Sequence, residues 1–219
     1  MDEGLHIGCW GRSESGKSTR AKAIIRDEPR VVIFDTLDEY KGVVVHTPAE
    51  LIRAVMKRPR AFKIIWKVKR GQDKEKSLDE LAEVLFRLQE PYKASEGKRH
   101  PRLRLYVEEM ALCFKNVRRG DTPFNEMCNT GRHYGIYLLG VSQRMAEVST
   151  TFRNTCAVNY FFPPRSSADI DAGADLLAVN EEYDLRAAKS ALKRLEVHEY
   201  LRLEGRDVQR GRNVLGRNK

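Results

Sequence analysis

Six short apolar runs, rich in valine, isoleucine, leucine and aromatic residues, recur along the chain: Leu5–Trp10, Val31–Asp35, Ala61–Val68, Leu103–Glu108, Ile136–Val141 and Ala157–Phe162. Runs of this length and composition are strand signals. Helical segments lie between them, predicted over Lys17–Arg26, Ala49–Lys57, Ser77–Gln89, Phe124–Tyr134, Ala146–Arg153 and Ser166–Asp175, several with Ser, Thr or Asp at the cap position. Strand and helix in alternation imply an α/β fold with a mostly parallel central sheet and helices on both faces. The last stretch, "LEVHEYLRLEGRDVQRGRNVLGRNK", reads as a strand, a Glu204-Gly205 turn and a second short strand. The expected organisation is one domain over residues 1–195, with a hairpin and basic tail over 196–219 belonging to it. No repeat or low-complexity tract interrupts the pattern.

A length of 219 residues suits one substantial α/β domain with a proper core. No apolar run approaches a membrane span, and "MDEGLHIG" passes directly into the first strand without a charged-then-apolar leader, so a cytosolic protein is expected. The four cysteines, Cys9, Cys113, Cys128 and Cys156, form no CxxC pair and the five histidines are scattered. That pattern suggests buried, reduced thiols rather than a zinc site or a disulfide framework. The charge balance adds more. Against 31 Asp and Glu stand 40 Lys and Arg, a formal charge of +9, and such a surface favours a polyanionic partner.

One motif carries specific chemistry. Directly after the first strand runs Gly11-Arg12-Ser13-Glu14-Ser15-Gly16-Lys17-Ser18, with Thr19 opening the first predicted helix. Two glycines, a lysine and a hydroxyl at these spacings match a phosphate loop, a pattern that a chain this long meets by accident about one time in a hundred. Glycines let backbone N–H groups turn inward around phosphates, Lys17 neutralises the β- and γ-phosphates of ATP, and the Ser18 hydroxyl ligates Mg²⁺ at the positive end of the helix dipole. A water-activating partner is then expected at the end of another strand. "LRLYVEEM" supplies Glu108 and Glu109 where ligands meet such sheets. One carboxylate, Glu108, is assigned to the Mg²⁺ shell and the next, Glu109, to the attacking water. Neighbours on a strand face opposite ways, so the two should not share a task. Gln143, at the end of the strand Ile136–Val141, carries an amide able to reach a γ-phosphate.

The order of these features resembles the FtsK/HerA superfamily of ring-forming DNA-pumping ATPases. The matching residues are Asp35 and Glu39-Tyr40 after the second strand, the acidic pair, Arg132, Gly135, Gln143-Arg144 and Asn154. The likeness runs from about residue 4 to 175. In compactness the chain is most similar to the genome-packaging ATPases of membrane-containing double-jelly-roll viruses. It departs from the pattern in having Glu-Glu where Asp-Glu is usual, and Met145 where proline often follows Gln-Arg. The resemblance implies a RecA-like P-loop fold and a ring, a hexamer by preference, in which Arg132 acts on the neighbouring subunit and Gln143 senses the γ-phosphate. It also implies double-stranded DNA as substrate, a procapsid vertex or portal protein as partner, and work in the host cytoplasm or at the virion vertex.

Two cation-rich loops could follow a DNA backbone: Lys67, Lys69 and Arg70 after the third predicted strand, and Lys115, Arg118 and Arg119 after the acidic strand. The second is preferred because it begins close to Glu109. Neither has interleaved aromatics, so duplex backbone fits better than stacked single strands. Two other readings stay open at this point: a small-molecule P-loop kinase, and a nucleotide-binding assembly factor that does not hydrolyse.

Overall fold

The computed structural model describes residues 5–116, 120–179 and 183–213. Among the described residues nine strands form one sheet: β1 (Ile7–Trp10), β2 (Arg30–Asp35), β3 (Val43–Val45), β4 (Phe62–Lys67), β5 (Leu103–Val107), β6 (Ile136–Ser142), β7 (Val158–Phe161), β8 (Glu199–Glu204) and β9 (Asp207–Arg212). Their spatial order is β3-β4-β2-β5-β6-β1-β7-β8-β9. All pairs from β3 to β7 are parallel, and the β8–β9 hairpin adds two antiparallel strands at one edge. All six apolar runs are strands, and the C-terminal hairpin turns where expected. The short β3 was not predicted.

Seven α-helices among the described residues cover the sheet: α1 (Lys17–Arg26), α2 (Pro48–Lys57), α3 (Lys74–Ala94), α4 (Pro123–Thr130), α5 (Thr150–Thr155), α6 (Ser167–Leu177) and α7 (Leu185–Lys193). Thr47, Asp73, Thr122, Ser149, Ser166 and Asp184 each accept a backbone N–H at a helix start, which satisfies donors that have no partner within the helix. Predicted and observed helices differ mainly at their ends. The segment expected as one helix over Phe124–Tyr134 ends its α form at Thr130 and tightens into a 3₁₀ turn before Gly135, whose φ of 66° starts β6. Residues 146–153 likewise split into a 3₁₀ turn and α5. Helix α7 was not predicted.

Alternate strand residues feed two cores, as the pleat requires. Ile7, Cys9, Val31, Ile33, Leu139, Val141, Val158 and Tyr160 pack with Ala21, Ile24 and Ile25 of α1. Trp10, Val32, Phe34, Ile64, Trp66, Leu105 and Leu138 face the larger core with α2, α3, α4, α5, α6 and α7. Buried polar groups in this layer find partners: Trp10 Nε1 donates to Asn159 at 2.8 Å and Trp66 Nε1 to Ser77 at 3.0 Å. The four cysteines are buried thiols, none of them in a disulfide. No helix among the described residues is long and apolar enough to cross a membrane.

Candidate functional site

The site lies at the C-terminal ends of the parallel strands, where β1 runs level with Ser142 of β6 and Phe161 of β7. Beyond Trp10 the chain loops from Gly11 to Gly16 and enters α1. Gly11 is anchored by its N–H on Ser142 O at 3.2 Å, and Arg12 by its N–H on Pro163 O at 2.8 Å. A Cβ at Gly11 would stand 2.6 Å from Phe162 Cβ; Gly16, at φ 106°, would push one to 2.7 Å from Asn213 Nδ2. Glu14 between them also has a positive φ, 58°. Alternating handedness of this kind turns successive N–H groups into one hollow. The N–H groups of Ser13, Glu14, Ser15, Gly16, Lys17 and Ser18 accordingly have no acceptor among the described residues.

Two residues give this hollow its charge and its opening. Lys17 is buried and folds back to donate to Arg12 O at 3.1 Å. Burial lowers its pKa, and the negative charges of Glu109 and Glu108 partly oppose that shift, so the ammonium stands within electrostatic reach of both carboxylates. Ser18 is half-buried and Thr19 exposed in the first turn of α1, whose dipole directs positive potential into the loop.

The two glutamates diverge. Glu109 is buried with φ 54° and ψ 68°, a left-handed backbone that few non-glycine residues adopt and that commonly marks functional sites. Its Oε1 accepts Ser142 Oγ at 2.7 Å and Gln143 N–H at 3.1 Å. Ser142 was not picked out in the sequence, because only the register of β6 beside β5 brings it to Glu109. Glu108 faces the β2–β3 turn: its Oε2 accepts the hydroxyl of Tyr40 from that turn, at 2.8 Å, and that of Tyr106 on β5. Burial raises the Glu108 pKa against the lowering effect of those two hydrogen bonds. Tyr40 is itself placed by Asp35, whose carboxylate accepts the N–H groups of Leu37, Glu39 and Tyr40.

A cleft of about 280 Å³ opens at Glu109, lined also by Leu37, Gln143, Arg144, Glu147 and Arg165. Arg165, on the loop after β7, was missed in the sequence because nothing local ties it to the other motifs. Arg144 is paired with Glu147. Ser18 Oγ and Glu108 Oε1 have no hydrogen-bond partner among the described residues. Among those residues no cluster of three or more His, Cys, Asp or Glu could hold a metal alone. A lone hydroxyl and one carboxylate oxygen suit Mg²⁺, which keeps waters and nucleotide phosphates as its remaining ligands.

Not every predicted residue joins this centre. Arg132 is exposed in the 3₁₀ turn before β6, at the opposite end of the strand from Ser142, a separation of about 20 Å. It cannot reach the loop of its own chain. Lys115 is tied down: it bridges to Val148 and its ammonium lies 3.8 Å from Glu75. Arg118 and Arg119 lie outside the described residues. In the other cationic loop, Lys67 pairs with Asp38 at 2.6 Å while Lys69 and Arg70 are exposed.

No protein-family model and no curated protein sequence matches the chain. Solved structures do share its fold. The genome packaging NTPase B204 from Sulfolobus turreted icosahedral virus 2, in complex with ATP-gammaS, superposes with a TM-score of 0.74 at 14% identity over 98% of this chain and 100% of that one. VirB4 of Thermoanaerobacter pseudethanolicus gives 0.66 at 12% identity, covering 97% and 90%. EccC (ATPases 2 and 3) of Thermomonospora curvata, in complex with a signal sequence peptide, gives 0.57 at 14% identity, covering 96% of this chain and 38% of that one. The P-loop NTPase fold expected from the motifs is the fold observed.

Proposed function

We propose that this chain is an ATP-hydrolysing motor that translocates double-stranded DNA, packaging a viral genome into a procapsid. The observation that carries the nucleotide part is the run of six N–H groups without acceptors among the described residues, with buried Lys17 within electrostatic reach of Glu109. Such a run fits a string of phosphates. Ser18 and Glu108 would hold Mg²⁺, which supplies charge neutralisation between the β- and γ-phosphates. Glu109 accepts a proton from the attacking water as the new O–P bond forms and the bond to the β–γ bridging oxygen breaks. Its carboxylate is already aimed by Ser142 and the Gln143 N–H, and the Gln143 amide contacts the γ-phosphate. Arg132, unable to serve its own site, completes that of the next subunit in a ring, with a hexamer favoured.

The DNA part is supported by the formal charge of +9 and by the likeness in fold to the packaging NTPase named above. A mechanical link to the preferred DNA loop is also present. Asn116 N–H donates to Glu147 O at 2.7 Å and Ser149 N–H to Phe114 O at 2.9 Å, so the loop after Glu109 is tied to the segment after Gln143. A γ-phosphate gained or lost at those two residues would move Lys115 through these bonds. The ring would work in the host cytoplasm at a capsid vertex. Hydrolysis of ATP measured with and without duplex DNA tests this. Stimulation by DNA is the expected result; phosphate transfer to a metabolite would make the chain a kinase, and binding without turnover an assembly factor.

A further inference from the structure

We infer that the C-terminal hairpin is a working part of the phosphate loop: its two ends, at His198 and Asn213, clamp the outward carbonyls of Ser15 and Gly16 and so aim the loop's N–H groups, with Asn213 as a positioning residue for nucleotide. The inference rests on the nucleotide-binding reading above. His198 N–H donates to Ser15 O at 2.9 Å, and Asn213 Nδ2 to Gly16 O at 2.7 Å. A trans peptide unit is planar, with its C=O and N–H pointing opposite ways. Holding the Ser15 carbonyl outward therefore turns the Gly16 N–H inward, and Asn213, added to the Arg20 N–H that donates to the same oxygen at 3.0 Å, holds the Gly16 carbonyl and with it the Lys17 N–H. These are two of the six groups in the hollow, and the second belongs to the residue whose ammonium meets the phosphates.

The clamp is built to hold its shape. Asn213 N–H returns to His198 O at 2.9 Å, which closes the hairpin's two ends on each other beside the loop. Arg210 and Arg212 pair with Glu199, at 2.7 and 3.3 Å, in the same region. His198 has a φ of 69°, a conformation that persists in a non-glycine residue only where the surroundings enforce it. A Cβ on Gly16 would stand 2.7 Å from Asn213 Nδ2 and 2.8 Å from His198 Nδ1, so no other residue type leaves room for this approach. A third tie reaches the start of α1: Arg20 donates to the Tyr160 hydroxyl at 2.7 Å and lies over the rings of Tyr160 and Tyr200, at 4.6 and 5.4 Å. Phosphate loop, first helical turn and hairpin thus move as one body, and a load on the hairpin changes the grip on nucleotide.

The test compares Asn213→Ala, Asn213→Asp and Asn213→Gln in the full chain. Asp is isosteric but has no donor, whereas Gln keeps the amide. Amide hydrogen exchange at His198 and Arg20, whose N–H groups donate to Ser15 O and Gly16 O, is measured without nucleotide, and affinity is measured with a fluorescent ATP analogue. Loss of one hydrogen bond predicts exchange about three- to tenfold faster and affinity about three- to tenfold weaker for Ala and Asp, with partial recovery in Gln. Val208→Ala, which loosens the hairpin's packing away from the loop, controls for a merely structural effect and should lower Tm while leaving both readouts unchanged. Wild-type exchange and affinity in Asn213→Asp, or an equal effect in Val208→Ala, would overturn the clamp. If the wild type and Lys17→Ala both fail to bind the analogue, the nucleotide reading is wrong, and the exchange measurement still decides the clamp by itself.

Discussion

Replacing Glu109 by glutamine separates binding from cleavage. Glutamine has the same shape, and its carbonyl oxygen can keep accepting Ser142 Oγ and the Gln143 N–H, the two contacts now made at 2.7 and 3.1 Å. Those bonds change from charge-assisted to neutral, a cost of about 1 kcal/mol. In a chain of 219 residues that corresponds to a fall in Tm of about 2–4 °C. ATP affinity should hold or rise, because a negative charge has been removed beside the phosphates while Lys17 stays in place. Turnover should fall by about 10²–10⁴, the usual worth of a positioned general base, since the amide cannot accept a proton from water. Single-turnover hydrolysis and equilibrium binding measured on the same preparation read both quantities. Hydrolysis within about threefold of wild type, far less than that loss, would refute the assignment. A bound but uncleaved nucleotide in Glu108→Gln, with normal turnover in Glu109→Gln, would reverse the roles; as assigned, Glu108→Gln should instead raise the Mg²⁺ concentration needed for activity.

Lys17→Ala should abolish nucleotide binding or turnover, because water cannot replace one buried cation facing two phosphates; isothermal titration and a phosphate-release assay check it. Arg132→Ala should lose about 10³–10⁵ in rate and recover activity when its subunits exchange with those of Glu109→Gln, whereas full activity alone would make Arg132 a helix-end charge. Arg118→Ala combined with Arg119→Ala should weaken duplex binding evenly across sequences and flatten the dependence of log K on log salt, with basal hydrolysis kept; an unchanged slope removes that loop from the DNA path. His6 is buried, and burial, followed by the Arg132 and Arg104 cations, lowers its pKa from 6.5 to about 4. The unfolded chain takes up this proton below pH 6.5 and the folded one only near 4, so its contribution is complete above 6.5 and is lost as pH falls toward 4. That amounts to about 2 kcal/mol at pH 5; urea unfolding at pH 7 and 5 should show the loss in wild type and a smaller one in His6→Gln.

Much of this protein is local and was legible in the order of its residues. The loop from Gly11 to Ser18 needs particular residue types at adjacent positions, so its glycines, lysine and hydroxyl announce it without knowledge of the fold. Helix α1 begins and ends as predicted for the same reason. The buried parallel strands were readable because strands covered on both faces are continuously apolar. Strand β3 was not, because its three valines are mostly exposed at the sheet edge and follow no alternation. Helix α7 was missed because its buried side is only Ala188 and Leu192, a faint stripe among charges. What lies far apart in sequence was decided by the sheet. The pairing of β5 with β6 brings Ser142 to Glu109, and the β2–β3 turn delivers Tyr40 to Glu108, so that two adjacent glutamates acquire different surroundings. The order β1-β7-β8-β9 carries Asn213 back across 197 positions to the carbonyl of Gly16. Hydrogen bonds of that kind depend on which strands are neighbours, and strand order is set by the packing of the whole core rather than by any stretch of the chain that a motif could reveal.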